Sequence, residues 1–316
     1  MSIKPDFFIV GAAKSGTTAL QQMLDQHPAI YMSPIKEPNF FYTDVEISEL
    51  RKGLQEKLKK ENAEQWIKDG MHGERWNAFL RDESLYRQLF SDAQANQFCG
   101  EASVSYLYSS HAAQLIYQYN PQAKIIILLR NPVERSWSHY KMEKRMGILK
   151  EDFQSAFEKW KDSSHPIWGK DPIFLSGGLY YNQVKRFMDV FPREQLFICL
   201  YDDYKINADK TLHQILNFIG VNDATPHEFV KNKVANEARK SIIDNFLPSG
   251  KLKTILRKFV QRIGIHRFLK QVLTSENNEP LSKDHKMALH KYYSSDIEKL
   301  ELLLNINLSN WKKIEN

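Results

Sequence analysis

Short apolar runs alternate with amphipathic stretches over most of this chain. Residues 7–11 and 123–129 are apolar runs typical of strands that are buried on both faces of a parallel sheet. Weaker strand patterns cover 29–32, 97–103 and 195–200, and helical periodicity follows most of these runs. Alternation of strand and helix predicts an α/β fold with a central parallel sheet flanked by helices.

The predicted sheet is interrupted and then extended by helical sequence. Residues 46–96 are polar, charged and mostly helical in pattern, which predicts an insertion between two strands. Residues 252–263 carry an apolar stripe of ordinary width, which favours packing against a core over membrane binding. We therefore predict a single domain over residues 1–316, with a helical insertion at 46–96 and a helical C-terminal extension at 245–316.

Composition narrows the class of protein. The chain has 316 residues, 42% hydrophobic and 12% aromatic, which is enough for a large core in one extended domain. Its two cysteines, Cys99 and Cys199, form no disulfide or zinc pattern, so a reducing compartment is expected. The first residues lack a signal-peptide core, and no apolar run approaches the roughly 20 residues that span a bilayer. These features predict a cytoplasmic protein without a membrane span; the oligomeric state is not predicted.

Positive charge is concentrated late in the chain. The net charge is +6, and residues 231–270 hold eleven Lys and Arg against two acids. Such a stretch either meets an anionic partner or forms a solvated face.

The first predicted strand leads into a loop of small residues. Gly11 and Gly16 keep the spacing of a P-loop, but Thr17 occupies the lysine position and the loop's lysine is Lys14. A helix that starts after such a loop directs N–H donors and a positive dipole end at an anion. The displaced lysine favours an anionic group shorter than a triphosphate and free of metal. The alternative is a glycine-rich turn without a ligand.

A second turn of similar design follows the predicted strand at 123–129. Asn131 is a good N-cap, Pro132 suits the first helical position, and Glu134 completes a capping-box pattern. Arg130 then lies at the C-terminal edge of a central strand, where open α/β sheets bind ligands. Ser138 lies two turns along the helix. Arg130 is expected either to bind a second anionic group or to pair with a carboxylate.

Four segments together resemble the sulfotransferase family, in particular its bacterial and heparan-sulfate-type branch. The resemblance covers about 6–45 and 97–240 in the family's order. It is carried by Lys14-Ser15-Gly16-Thr17-Thr18, by Lys36-Glu37-Pro38 with Phe40-Phe41, by Gly100-Glu101-Ala102-Ser103, and by Leu128-Leu129-Arg130-Asn131-Pro132 with Arg135, Ser138, His139 and Tyr140.

The resemblance implies transfer of a sulfuryl group from 3′-phosphoadenosine 5′-phosphosulfate (PAPS) to a hydroxyl or amine of a small-molecule or saccharide acceptor. Adenosine 3′,5′-bisphosphate would be the product, with no metal and no nucleic-acid partner. By similarity, 5′-phosphosulfate ligands are Lys14, Ser15, Gly16, Thr17 and Thr18, and 3′-phosphate ligands are Arg130 and Ser138. Asn236, Arg239 and Lys240 fall where the family has a loop that closes over the nucleotide, but without its usual glycine-rich sequence.

Glu37 is the expected general base, since glycan-type relatives use the glutamate of this segment. The related steroid and phenol enzymes use a histidine, and the histidines near the motifs are His27, His111 and His139. A structural role is favoured for His27 and His139. Glu37 alone could instead form a surface ion pair or start a helix. Lys14 is expected to neutralise charge on the leaving phosphate.

Several neighbours have two possible roles. Lys36 either contacts the same oxygens as Lys14 or is exposed to solvent. Glu101 and Ser103 either face the acceptor, or Glu101 forms a salt bridge with Arg135 or Lys14. Four tryptophans either line an acceptor pocket or serve in packing: Trp66, Trp76, Trp160 and Trp168.

Two other functions compete with sulfuryl transfer. A P-loop kinase is disfavoured by Thr17 and by Arg130 at the strand end where a magnesium-binding aspartate would be needed. A non-catalytic protein that binds a nucleotide or a polyanion would use the basic stretch. Loss of Lys14 or of the Glu37 segment would favour it, and both are present.

Overall fold

Five parallel strands form one sheet in this computed structural model, whose described residues are 4–73, 75–221 and 280–313. In chain order the strands are β1 (Phe7–Gly11), β2 (Ile30–Met32), β3 (Phe98–Ala102), β4 (Lys124–Leu129) and β5 (Leu196–Leu200). Their order across the sheet is β2-β3-β1-β4-β5. The predicted α/β fold with a central parallel sheet is confirmed.

Helices cover the sheet and follow most of its strands. They are α1 (Thr17–Leu24), α2 (Lys52–Glu61), α3 (Ala63–Lys68), α4 (Glu83–Gln88), α5 (Ser105–Tyr108), α6 (Ala112–Tyr119), α7 (Pro132–Arg145), α8 (Phe153–Trp160), α9 (Tyr180–Val190), α10 (Tyr201–Ile206), α11 (Ala208–Ile219), α12 (Lys283–Leu304) and α13 (Ser309–Lys312). Short 3₁₀ turns lie at Ile47–Glu49, Ser176–Gly178 and Arg193–Gln195. All these elements belong to one compact unit.

The apolar runs form the inner strands because both faces of the sheet are covered. Every residue of β1 is buried, and in β4 the five residues after Lys124 are buried as well. Phe7 of β1 lies opposite Gly100 of β3. A Cβ on Gly100 would lie 2.2 Å from the Phe7 ring. Glycine at this position therefore allows an aromatic ring to fill the centre of the sheet.

Side chains determine where α7 and α11 begin, and at α7 the contacts differ from prediction. The predicted capping box at Glu134 is wrong: Asn131 accepts from the Val133 N–H at 3.0 Å, but the Glu134 carboxylate pairs with Arg130 at 2.8 Å. The helical region after β5 is divided at Asn207, whose side chain caps α11 through the Lys210 N–H.

The insertion and the C-terminal region have the predicted helical character. Helices α2 to α4 lie between β2 and β3, and the chain between α3 and α4 runs back beside the segment after β2. There the Ala78 N–H donates to the Glu37 carbonyl at 2.8 Å, and the Leu80 N–H donates to the Pro38 carbonyl at 3.0 Å. Helix α12 packs against α7 and α9. The stretch predicted as a helix at 252–263 lies outside the described residues.

None of the helices in the described parts of the chain is both long enough and apolar enough to cross a membrane. Cys99 is buried in β3, and Cys199 lies half-buried in β5.

Candidate anion-binding and catalytic site

The loop between β1 and α1 turns sharply at two residues. Lys14 and Gly16 both have positive φ, 69° and 88°. A Cβ on Gly16 would lie 2.9 Å from the Tyr201 ring, so glycine is required both by conformation and by space. Gly16 is the N-cap of α1 and brings no side chain to its N–H groups. The start of α1 therefore keeps main-chain donors for an anion.

Lys14 lies within a group of positive charges. Its Nζ is 3.7 Å from the sulfur of Met142 on α7. Burial is the largest cause that lowers the pKa of Lys14 to about 8, and the charges of four neighbouring cations contribute to the same shift: Arg145, Arg130, Arg135 and Lys36. Positive groups repel one another, so an anion bound among them would stabilise their charged forms.

Arg130 connects the two predicted anion sites. Its guanidinium donates to the Lys14 carbonyl at 3.4 Å and lies over the Tyr201 ring, 4.9 Å from the centroid. The Tyr180 hydroxyl donates to the Arg130 carbonyl at 2.9 Å. Ser138 is half-buried one turn after Glu134, the partner of Arg130, and therefore lies on the same face of α7. Sequence predicted both alternatives for Arg130, a carboxylate partner or an anion site, and the ion pair with Glu134 is present.

Lys36 and Glu37 form an ion pair beside the loop. The Lys36 Nζ is 2.7 Å from the Glu37 carboxylate, and the two side chains are 8% and 17% exposed. Solvent exposure of Lys36 was one of the two predictions, and it is wrong. Glu37 begins no helix, so the ion pair is the contact that places its carboxylate.

Asn39 holds the backbone of the Glu37 segment. Its side-chain amide donates to the carbonyls of Glu37 at 2.9 Å and Ala78 at 2.8 Å. Its side-chain oxygen accepts from the Ser105 hydroxyl at 2.5 Å. Asn39 is fully buried and has φ of 48°, a left-handed conformation that asparagine tolerates better than most residues. This residue was not predicted from the sequence, although an Asn after Pro38 was a signal for such a turn.

Glu101 lies beneath this segment and takes neither predicted salt bridge. Its carboxylate accepts from the Ser103 hydroxyl at 2.7 Å and from the Tyr86 hydroxyl. Ser103 in turn accepts from the Asn39 N–H at 3.2 Å. Burial raises the pKa of Glu101 to about 7. Pairing with Arg135 or Lys14 was wrong because Tyr86, from the insertion, brings a hydroxyl to this carboxylate.

A buried row of polar side chains follows one face of α7. The Arg135 guanidinium donates to His139 Nδ1 at 2.9 Å and to the Phe174 carbonyl. Because a guanidinium only donates, the histidine proton lies on Nε2, which is 3.5 Å from the Glu143 carboxylate. Burial and then the Arg135 charge hold the pKa of His139 well below its usual value, while burial raises the pKa of Glu143 to about 7. His139 is 2% exposed.

The other two histidines near the motifs, His27 and His111, lie close to helix ends. His27 is buried and accepts from the Ala29 N–H at 3.2 Å. His111 is exposed and lies 3.7 Å from Asp44.

The tryptophans differ in position. Trp76 lines a pocket beside α1. Trp66 is buried, with the Arg75 guanidinium over its ring. Trp168 packs on Tyr108 and His139, and Trp160 is half-buried on α8.

The predicted nucleotide-closing residues cannot be placed. Asn236, Arg239 and Lys240, with the basic stretch at 231–270, lie outside the described residues. Two residues near Lys14 were not predicted: Met142, whose sulfur contacts the Lys14 Nζ, and Arg145, whose positive charge acts on Lys14. Their signal was helical spacing on the helix that starts at Pro132, which places residues 135, 138, 142 and 145 within one broad face.

The parallel sheet, the loop after β1 and the second cationic turn after β4 define an α/β protein with positively charged side chains at the C-terminal edge of its sheet. The chain belongs to the sulfotransferase family: the family model described as sulfotransferase domain matches residues 4–293.

Known relatives agree with this membership. The chain is 24% identical over 306 residues to human carbohydrate sulfotransferase 15, covering 86% of this chain and 54% of the relative. It is 22% identical over 306 residues to mouse bifunctional heparan sulfate N-deacetylase/N-sulfotransferase 3, covering 95% of this chain and 30% of the relative. The chain thus spans about half the length, or less, of these curated relatives. The crystal structure of a sulfotransferase from Alicyclobacillus acidocaldarius is similar with a TM-score of 0.64 and 27% identity, covering 98% of this chain and all of that one.

Proposed function

We propose that this protein transfers the sulfuryl group of PAPS to a hydroxyl or amine of a small-molecule or saccharide acceptor. Family membership supports the transfer itself, and the similarity to a carbohydrate sulfotransferase and to a heparan sulfate N-sulfotransferase supports a saccharide. The observation that carries the donor is the loop after β1, where Gly16 leaves the N–H groups of α1 without a side-chain cap and the Arg130 guanidinium donates to the Lys14 carbonyl at 3.4 Å.

The chain's residues fit a donor with two separated anionic groups. In this proposal Lys14, Ser15, Gly16, Thr17 and Thr18 hold the 5′-phosphosulfate. Gly16 allows the loop to turn into α1, since its φ of 88° favours glycine and a side chain there would collide with Tyr201. Arg130 and Ser138 hold the 3′-phosphate, and Asn236, Arg239 and Lys240 cover the nucleotide.

Glu37 is proposed as the general base. Bound PAPS supplies a sulfur that the acceptor attacks as the bond to the 5′-phosphate oxygen breaks. Glu37 takes the acceptor's proton, for which its carboxylate must come within about 2.6–3.2 Å of the attacking atom. Lys14 stabilises the charge that builds on the leaving phosphate. Lys36 contacts the Glu37 carboxylate and adds to the positive field at Lys14. It therefore links the proposed base to the loop that would hold the 5′-phosphosulfate.

Ligand binding tests the donor. We expect adenosine 3′,5′-bisphosphate to raise the melting temperature and ATP with magnesium or heparin to have much less effect. A ligand at about 100 times its Kd stabilises the folded chain by about 2.7 kcal/mol, which a thermal shift detects. A stronger effect of ATP with magnesium would contradict the proposal, and a stronger effect of heparin would favour a polyanion-binding protein.

Glu37→Gln tests the base. The amide cannot accept the proton, so kcat with radiolabelled PAPS and an acceptor found by screening should fall by about a hundredfold or more. Affinity for the bisphosphate should stay unchanged. Full activity of this variant would remove Glu37 as the base and leave the family membership intact. Glu158→Gln, which changes an exposed carboxylate of α8 that is paired with Lys161, is the matched control for kcat.

A further inference from the structure

The main chain of Arg130 lies between two elements. Strand β4 ends one residue earlier, at Leu129, and Asn131 is the N-cap of α7. The Asn131 carbonyl accepts from the Arg135 N–H at 2.9 Å, which opens that helix. The Arg130 carbonyl thus lies just outside both the strand and the helix, and the Tyr180 hydroxyl donates to it at 2.9 Å. A side chain from a distant part of the sequence therefore fixes this peptide group.

Tyr180 is suited to act as a constant donor. It is fully buried at the start of α9. Burial raises the pKa of its hydroxyl, so the group stays protonated over the ordinary pH range. A carbonyl that loses such a donor turns toward another donor or toward water, and the side chain of the same residue moves with it.

Helix α12 holds Tyr180 in place. The Asp296 carboxylate accepts from the Tyr180 N–H at 2.7 Å, and the Tyr293 hydroxyl donates to the Leu175 carbonyl at 2.8 Å. A Cβ on Gly178 would lie 2.9 Å from that hydroxyl, so glycine allows α12 to approach the turn before α9 closely. Because this turn and the start of α9 are both bonded to α12, the Tyr180 hydroxyl has a defined position.

The guanidinium is the other end of Arg130. It pairs with Glu134 at 2.8 Å, donates to the Lys14 carbonyl at 3.4 Å and lies over the Tyr201 ring. These contacts belong to a long side chain whose origin is the main chain that Tyr180 bonds. A fixed main chain reduces the freedom that the guanidinium loses when it binds an anion, and this raises affinity.

We propose that Tyr180 is a positioning residue for Arg130 and thereby determines how strongly the protein prefers nucleotides that carry a 3′-phosphate. This inference rests on the proposed function, in which Arg130 holds that phosphate. Tyr180 acts through the Arg130 main chain rather than on the ligand. Helix α12 takes part in nucleotide selection through its bonds to the start of α9.

The test uses two nucleotides that differ in one group: adenosine 3′,5′-bisphosphate and adenosine 5′-phosphate, which lacks the 3′-phosphate. Binding of each to the full chain is measured by titration calorimetry. Tyr180→Phe keeps the ring and removes the hydroxyl. We expect it to weaken bisphosphate binding by about tenfold, the effect of one hydrogen bond, and to change adenosine 5′-phosphate binding much less. In an Arg130→Ala background the same substitution should change neither affinity, because the group that Tyr180 positions is gone.

Controls separate positioning from a general defect and from the proposed function. Tyr181→Phe removes a hydroxyl from the next residue, whose ring lies under the Lys299 ammonium, and should leave both affinities unchanged. Binding of adenosine 5′-phosphate shows that a variant is folded. An equal loss for both nucleotides, wild-type affinity of Tyr180→Phe for the bisphosphate, or an effect that persists in Arg130→Ala would each overturn the inference. A wild-type protein that binds both nucleotides equally would instead contradict the 3′-phosphate site of the proposed function, and this inference with it.

Discussion

Lys14 combines burial with a surplus of neighbouring positive charge, and this gives the site a measurable pH response. Its pKa near 8 means that the free protein begins to lose this charge at mildly alkaline pH. An anion bound beside the ammonium favours the charged form, so binding restores the proton. Affinity for the anion is therefore linked to protonation of the Lys14 amine.

We expect affinity for adenosine 3′,5′-bisphosphate to fall as pH rises from 7.5 to 9.5, with proton uptake on binding. Calorimetry in buffers of different ionisation enthalpy measures that uptake. Lys14→Arg stays charged and should show neither effect. Lys14→Met should bind weakly at every pH and lose about a hundredfold or more in kcat. A pH-independent affinity in wild type would show that Lys14 does not face the ligand.

Among the elements, the loop from Lys36 to Asn39 is held in place by hydrogen bonds of the Asn39 side chain and main chain. Asn39 joins the Glu37 carbonyl to the insertion through Ala78 and to the sheet edge through Ser103 and Ser105. It touches none of the proposed reacting groups directly, so it is a positioning residue for Glu37.

Asn39→Asp keeps the oxygen that faces Ser105 but loses the donors to Glu37 and Ala78. Displacement of the base by a fraction of an ångström should lower kcat by about tenfold to a hundredfold. Bisphosphate affinity and KM for PAPS should change little, which a purely structural defect would not predict. Asn77→Ala, which removes one outer partner of Asn39 at 3.2 Å, should have a much smaller effect.

Helix α9 is capped by a residue more than a hundred positions later. Asp296 of α12 accepts from the N–H groups of Tyr180 at 2.7 Å and Tyr181 at 3.2 Å. Asp296→Ala should lower the free energy of unfolding by about 1 kcal/mol, the usual effect of a lost cap. Asp189→Ala removes a surface ion pair with Lys185 from the other end of the same helix and should cost about 0–0.5 kcal/mol. Equal losses by urea unfolding would contradict a capping role for Asp296.

At the scale of the whole molecule, buried acids make stability depend on pH. Burial raises the pKa of Glu101 from about 4.5 to about 7. Between these values the folded chain keeps a proton that the unfolded chain has released. Folding is therefore favoured most at low pH, and this contribution is lost as pH rises through 7.

Glu101→Gln resembles the protonated acid at every pH. We expect it to match wild type in free energy of unfolding at pH 5 and to exceed it by up to about 3 kcal/mol at pH 8. Glu143, with a similar pKa, titrates in both proteins, so the difference between them reports Glu101 alone. A difference that does not change between pH 5 and pH 8 would show that Glu101 is ionised throughout.

The sequence by itself determined the sheet, the loop at Lys14, the turn at Arg130 and the family. Apolar runs without alternation require cover on both faces, and glycine with a displaced lysine limits what a strand-to-helix turn can bind. These features are local, so neighbouring residues are enough to define them.

Only the tertiary structure decided the partners of the charged side chains. Glu101 bonds Tyr86 rather than Arg135, and Lys36 is buried rather than exposed to solvent. Arg75 lies beside Pro34 and Lys36 because the insertion runs back along the segment after β2. The physical reason is that a charge takes the best partner within a few ångströms, and distance in space is set by the packing of elements that are far apart in the chain.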